Sequence, residues 1–274
     1  MSVDAYKPAE MAERVEQAGV AKAGLPASSL LTLAVLAGAF IGLGAAFSTV
    51  AVTDSTMSFG VTRVVAGVTF SLGLILVVIA GAELFTGNLL IVMAWASRRV
   101  TTAQLIRNWV VAYLGNLLGA MATAGAVYMA QAWTMGGGKV GATALKIAAA
   151  KASLPFGQAL LLGVLCNALV CLAVWLCFSA RSTTDKILSI LFPITAFVAM
   201  GFEHSIANMY FIPMGLLLKG EPSVVAASGL TSSQLASLTI GGFASNLLPV
   251  TIGNMVGGGV MVAAVYWFVY LRKR

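Results

Sequence analysis

Apolar residues run through this chain in stretches far longer than a strand or an ordinary core helix uses, with polar residues confined to short clusters between them. A helix needs about 20 apolar residues to cross roughly 30 Å of hydrocarbon. Stretches of that length occur at about 29–50, 62–97, 103–133, 156–179, 187–218 and 241–271. The pattern predicts an all-α integral membrane protein of six transmembrane helices. Spans 2 and 5 each carry a polar cluster at mid-length, near 81–88 and 201–208, which predicts that both are interrupted. Ahead of span 1, Met11, Val15 and Ala18 recur at i, i+4 and i+7 among Glu10, Glu13, Arg14 and Glu16. That spacing predicts an amphipathic helix at the cytoplasmic surface within residues 1–28. Residues 29–274 then form one six-span domain.

The two interruptions share a pattern. Gly81-Ala82-Glu83-Leu84-Phe85-Thr86-Gly87-Asn88 and Gly201-Phe202-Glu203-His204-Ser205-Ile206-Ala207-Asn208 both read G-x-E-x-x-x-x-N, 120 residues apart. Span 3 holds Asn108 and then Gly115-Asn116-Leu117-Leu118-Gly119. Span 6 holds Asn246 and then Gly253-Asn254-Met255-Val256-Gly257, so the G-N-x-x-G cores lie 138 apart. Spans 1 and 4 show no comparably clear match. Two halves of three spans, approximately 29–133 and 156–271, must run in opposite orientations because three is odd. Inverted repeats with broken helices place a pathway near the bilayer midplane. Backbone freed by a break is tolerated only inside protein or along a wet cavity. Half-helix N-termini, with their partial positive charge, then face the gap, which favours an anion. For the G-N-x-x-G pairs the plainer reading is helix packing by small residues and bridging amides.

Composition removes other classes. The chain is 59% hydrophobic and 9% charged, with a mean hydropathy of +0.96, where soluble domains carry about 25% charged residues. No room remains for a soluble catalytic domain. The net charge of +7 does not point to nucleic acid, because the basic residues follow the membrane. Lys7, Arg14, Lys22, Arg98, Arg99, Arg107, Arg181, Lys186, Arg272, Lys273 and Arg274 fall on one side of the predicted spans. Arg63, Lys139, Lys146, Lys151 and Lys219 fall on the other. The positive-inside rule puts both termini in the cytoplasm. The first apolar stretch is too long for a cleaved signal. Cys166, Cys171 and Cys177 all lie in span 4, at spacings that suit neither a disulfide framework nor a zinc site. No metal or cofactor is expected.

His204 is the single histidine and sits in the second interruption. There it is either a hydrogen-bond or proton donor to an anion or a buried neutral staple, and its place in a repeated polar break favours the first. Glu83 and Glu203 are the acids within the spans and are expected to support the breaks, since carboxylates accept from freed N–H groups. Lys151 reads on its own as a solvated loop lysine beside Lys146. A neutral-solute pore would carry N-P-A at both breaks, but Asn88 and Asn208 are followed by Leu89 and Met209. An intramembrane enzyme lacks a G-x-S-x-G or H-E-x-x-H set here. A bare scaffold leaves the repeated polar clusters unexplained.

These motifs resemble a known family. Gly81–Gly87, Gly163-Val164-Leu165-Cys166-Asn167-Ala168-Leu169-Val170-Cys171-Leu172-Ala173 and Gly201–Met209 resemble the signatures and histidine loop of the formate/nitrite transporter family. Arg107-Asn108-Trp109, Phe211-Ile212-Pro213-Met214-Gly215 and Pro249–Asn254 are most similar to its formate channels. The resemblance implies an aquaporin-like protomer in a homopentamer in the cell (inner) membrane. It implies small monovalent weak-acid anions as substrates, formate foremost, with nitrite and hydrosulfide as alternatives and protons as partners. By motif, His204 stands where the family has its pore histidine and Thr86 where a facing threonine lies. Lys151 matches the lysine of the outer approach. Phe70 and Phe197 match an outer constriction, Leu74, Phe85 and Val170 an inner one, and Asn167 and Asn208 the pathway between. Glu83 departs from the aspartate that formate channels often carry.

Overall fold

The computed structural model describes residues 5–272, and among them there is no strand. Residues 1–4 and the basic pair Lys273 and Arg274 lie outside the described residues. The chain runs through α1 (Pro8–Ala23), α2 (Ala27–Val52), α3 (Phe59–Ala80), α4 (Phe85–Ala96) and α5 (Thr102–Met129). It continues through α6 (Lys139–Ala152), α7 (Phe156–Cys177), α8 (Thr183–Ala199), α9 (Ser205–Leu218) and α10 (Ile240–Tyr270). Five of these, α2, α3, α5, α7 and α10, are long and apolar enough to cross a membrane. α4 and α9 are shorter apolar helices that begin within the two polar clusters.

The non-helical gaps are narrower than the sequence pattern predicts. They cover only residues 81–84 and 200–204, and helix resumes at Phe85 and Ser205. Gly81 (φ 83°) and Gly201 (φ 73°) take the left-handed conformation that closes a helix C-terminus. The Ala82 N–H then reaches back to the Val77 carbonyl at 2.9 Å, and the Phe202 N–H to that of Phe197 at 3.0 Å. A methyl added at Gly81 would touch nothing within 4 Å. Gly81→Ala is therefore expected to cost only the left-handed strain, about 1 kcal/mol, read as a small drop in melting temperature in detergent.

The two halves pack alike. α2 crosses α5 and α7 crosses α10, while α3 and α8 meet between the halves. Each crossing depends on close backbone approach at a small residue. An added Cβ at Gly119 would lie 1.9 Å from the Val35 carbonyl oxygen, and one at Gly257 2.1 Å from that of Val164. The match extends further than the sequence pattern alone carries it. Lys22-Ala23-Gly24-Leu25-Pro26 leads into α2 as Lys151-Ala152-Ser153-Leu154-Pro155 leads into α7, so the two lead-in segments both read K-A-x-L-P. α1 correspondingly occupies the place in the first half that α6 holds in the second. Its Met11 and Val15 are buried against the bundle, facing α4, α5 and α10 rather than a lipid surface.

Candidate functional site

Each break is stitched by the same set of bonds. In the first, Asn116 Oδ1 accepts from the Phe85 N–H at 2.9 Å, while its Nδ2 donates to the carbonyls of Ala34 (2.8 Å) and Glu83 (2.9 Å). In the second, Asn254 Oδ1 accepts from the Ser205 N–H at 2.9 Å, while its Nδ2 donates to Gly163 (2.8 Å) and Glu203 (3.0 Å). The G-N-x-x-G asparagines thus do more than glue helices. They cap the half-helices and fix the extended strand before them.

The glutamates are engaged by side chains. Glu83 accepts from Lys22 Nζ at 2.6 Å and Asn88 Nδ2 at 2.8 Å, and Asn88 also donates to Asn108 Oδ1 at 2.9 Å. Glu203 accepts from Lys151 Nζ at 2.7 Å and Asn208 Nδ2 at 2.6 Å, and Asn208 also donates to Asn246 Oδ1 at 2.7 Å. The chains end alike, with Asn108 donating to the Lys22 carbonyl and Asn246 to that of Lys151. The freed N–H groups expected to bond the carboxylates find other acceptors: those of Phe85 and Ser205 go to Asn116 and Asn254, those of Glu83 and Glu203 to the carbonyls of Leu33 and Leu162. Both carboxylates are buried, so each needs its lysine: removing one partner of a buried pair leaves an uncompensated charge. From sequence Lys22 reads only as part of the basic flank. The K-A-x-L-P repeat is the signal that identifies it.

Two cavities face this network from opposite ends. One, of about 300 Å³, is lined by Arg14, Lys22, Lys186, Glu83, Leu74 and Gly87, among others. The other, of about 440 Å³, is lined by Arg63, Lys146, Lys151, Glu203, Phe70, Phe197 and His204, among others. They share no lining residue. Phe85, Thr86, Val170, Asn167 and Asn208 line neither and are buried in the wall between. Phe197 meets Phe70 edge-on at 5.6 Å and stacks on the His204 ring at 6.0 Å. Phe85 packs edge-on against Trp109 and Tyr113.

At the centre, Thr86 from the first break and His204 from the second meet, with Oγ1 and Nε2 2.9 Å apart. His204 also caps α9, because its Nδ1 accepts the Ala207 N–H at 3.1 Å. That bond sets the tautomer: with Nδ1 accepting, the neutral ring carries its hydrogen on Nε2 and donates it to Thr86. Adding a second proton to the ring would turn Nδ1 against the Ala207 N–H. Held this way, the imidazole presents its Nε2–H as a hydrogen-bond donor, while its Nδ1 is committed to the start of α9. Asn167 secures the other side of Thr86. Its Nδ2 donates to the Thr86 carbonyl at 3.2 Å and the Asn254 carbonyl at 2.9 Å, leaving its buried Oδ1 without a partner. The Asn208 Oδ1 is likewise unpartnered.

Arg63 is a further residue that sequence reasoning leaves in the outer flank. Its guanidinium caps the last turn of α8, donating to the carbonyls of Ala199 (2.9 Å) and Val198 (2.5 Å).

Long apolar helices around a buried polar centre, with cation-lined cavities on either side, define a multi-pass membrane protein built for transport. The profile of the formate/nitrite transporter family matches residues 9–268, and the chain belongs to that family. It is 43% identical to the formate channel FocA of Escherichia coli (strain K12), over 98% of this chain and 96% of that one. It is 40% identical to a probable formate transporter of Methanothermobacter thermautotrophicus, over 97% of each. Among solved structures it is similar to a pentameric formate channel with formate bound, with a TM-score of 0.83 and 45% identity, covering 90% of this chain and 98% of that one. An FNT family ion channel gives a TM-score of 0.79 at 29% identity, covering 94% and 98%.

Proposed function

We propose that this protein is a bidirectional channel for formate and similar small monovalent weak-acid anions, working as a homopentamer with one pathway per protomer. The observation that carries this reading is the Thr86–His204 contact held between two cation-lined cavities. In this reading α3 with α4, and α8 with α9, are two interrupted spans among six. Residues 1–28 are a cytoplasmic segment and 29–274 the channel domain. Both termini lie on the cytoplasmic side of the cell membrane, so the Lys22 cavity opens to the cytoplasm and the Lys151 cavity outward.

An anion approaching from outside meets the cations around Lys151, then Phe70 and Phe197. Stripping its water there costs several kcal/mol even after relaxation. At the midpoint, Thr86 and the Nε2–H of His204 replace lost water, with Asn167 and Asn208 behind them. Passage continues by Phe85, Val170 and Leu74 to the inner cavity. Where flux is proton-coupled, the proton passes to or through His204, and the Ala207 cap must open as it does. The glutamates keep the breaks in shape. The formate channels among the relatives favour formate over nitrite or hydrosulfide.

His204→Asn tests the reading, since asparagine retains a helix N-cap but cannot carry a proton. In proteoliposomes, the variant is expected to lose proton-coupled uptake of labelled formate while still assembling. Unchanged proton-coupled flux would remove the donor role. A wild type that moved none of formate, nitrite or acetate above empty liposomes would remove the channel reading itself.

A further inference from the structure

Each cavity holds three cations, but their surroundings differ. In the outer cavity Lys151 Nζ lies 2.7 Å from Glu203 and 5.4 Å above the Phe211 ring, with its side chain only 17% exposed. Arg63 has its guanidinium against the α8 carbonyls. Lys146, exposed on the same cavity-facing stripe of α6 as Thr143, Ile147 and Ala150, has no carboxylate within ion-pair reach and no hydrogen bond among the described residues. The inner cavity repeats this division. Lys22 is bound to Glu83, and Arg14 lies on the Tyr6 ring at 3.9 Å. The Lys186 ammonium has neither kind of partner among the described residues.

The difference matters for an approaching anion. An ammonium with a carboxylate at 2.7 Å presents a dipole, whose field falls off faster than that of a single charge. An unpaired lysine at the rim keeps its full charge, and such charges raise the capture rate of an oppositely charged solute. The inverted repeat does not by itself supply these free lysines. Its offsets place Gln17 opposite Lys146 and Ala66 opposite Lys186. Two different helices therefore give each mouth one lysine that, among the described residues, has no carboxylate, carbonyl or ring partner, whereas Arg63 and Arg14 are each held against carbonyls or a ring.

We infer that Lys146 and Lys186 are the residues that draw anions into the outer and inner mouths, whereas Lys151 and Lys22 are supports for the buried glutamates. This deepens the channel reading and rests on it.

The test is initial influx of labelled formate into proteoliposomes, well below saturation. It is run at about 10 mM ionic strength and again at about 0.5 M of an impermeant salt, which shrinks the reach of a free charge from about 30 Å to a few Å. With protein inserted both ways, K146E and K186E each impair one mouth. The K146E/K186E double variant is expected to lose roughly tenfold at low salt, with the deficit closing at high salt. K151Q is expected to lower the melting temperature, with any flux deficit the same at both salts. Wild-type influx in the double variant at low salt overturns the inference, as does a salt-sensitive deficit in K151Q alone. Nitrite and acetate are measured in parallel: a wild type that passes none of the three anions overturns the channel reading and this inference together. Formate flux with an unaffected double variant overturns only this one.

Discussion

Asn254→Leu is expected to destabilise the protein by about 4 kcal/mol, because it removes three bonds at one buried point. The Ser205 N–H and the carbonyls of Gly163 and Glu203 each lose their partner, and Asn254 is fully buried, so water has no ready access to replace them. A buried group left without a partner costs about 1–3 kcal/mol. The loss falls on the extended strand that sets His204, so transport is expected to fail along with stability. Thermal unfolding in detergent should show a fall of about 10 °C. Asn116→Leu should behave the same way, since Asn116 holds the Phe85 N–H and the Glu83 carbonyl in the other half. If either variant melted with the wild type, the stitching role given to these asparagines would be wrong.

Gly119→Ala is expected to cost about 3 kcal/mol, at the upper end for overpacking, because the new methyl would meet backbone. It would stand 1.9 Å from the Val35 carbonyl oxygen and 2.9 Å from the Ala39 nitrogen, and neither can swing aside as a side chain would. α2 and α5 would have to separate, stretching the Asn116 bond to the Ala34 carbonyl that lies in the same crossing. Gly257→Ala should act alike through Val164 on α7. Gly125→Ala on α5 is the control. Nothing lies within 4 Å of its added methyl, and alanine favours the helix by up to about 1 kcal/mol. Equal melting temperatures for Gly119→Ala and Gly125→Ala would show that close approach does not limit this crossing.

Much of the architecture is legible in the sequence because hydropathy reports directly on the membrane. The long apolar stretches locate the helices, and glycine with glutamate in apolar surroundings locates both breaks. The gaps are predicted too long for a non-local reason. Helix resumes at Phe85 and Ser205 because amides from α5 and α10 cap it, and nothing near 85 or 205 announces a partner some thirty to fifty residues away. The correspondence of α2 with α7 is hidden because apolar residues are nearly interchangeable wherever they meet lipid. Only the lead-in K-A-x-L-P, where a lysine must reach a buried carboxylate, retains the pattern. Lys22 escapes notice because the positive-inside rule already accounts for a lysine there. The tautomer of His204 depends on Ala207, three residues on, and requires the geometry of the helix start.

The two cavities also bear on rectification. Each presents three cations and one lysine-bound carboxylate to its own side, and the Lys–Glu–Asn chains behind them are alike in kind. In the proposed channel, mouths matched in this way in charge would carry little built-in electrostatic bias between import and export. Its current–voltage relation would be close to symmetric about the reversal potential. Net movement would then follow whichever compartment holds more substrate, so directionality would belong to the metabolism on either side rather than to the protein.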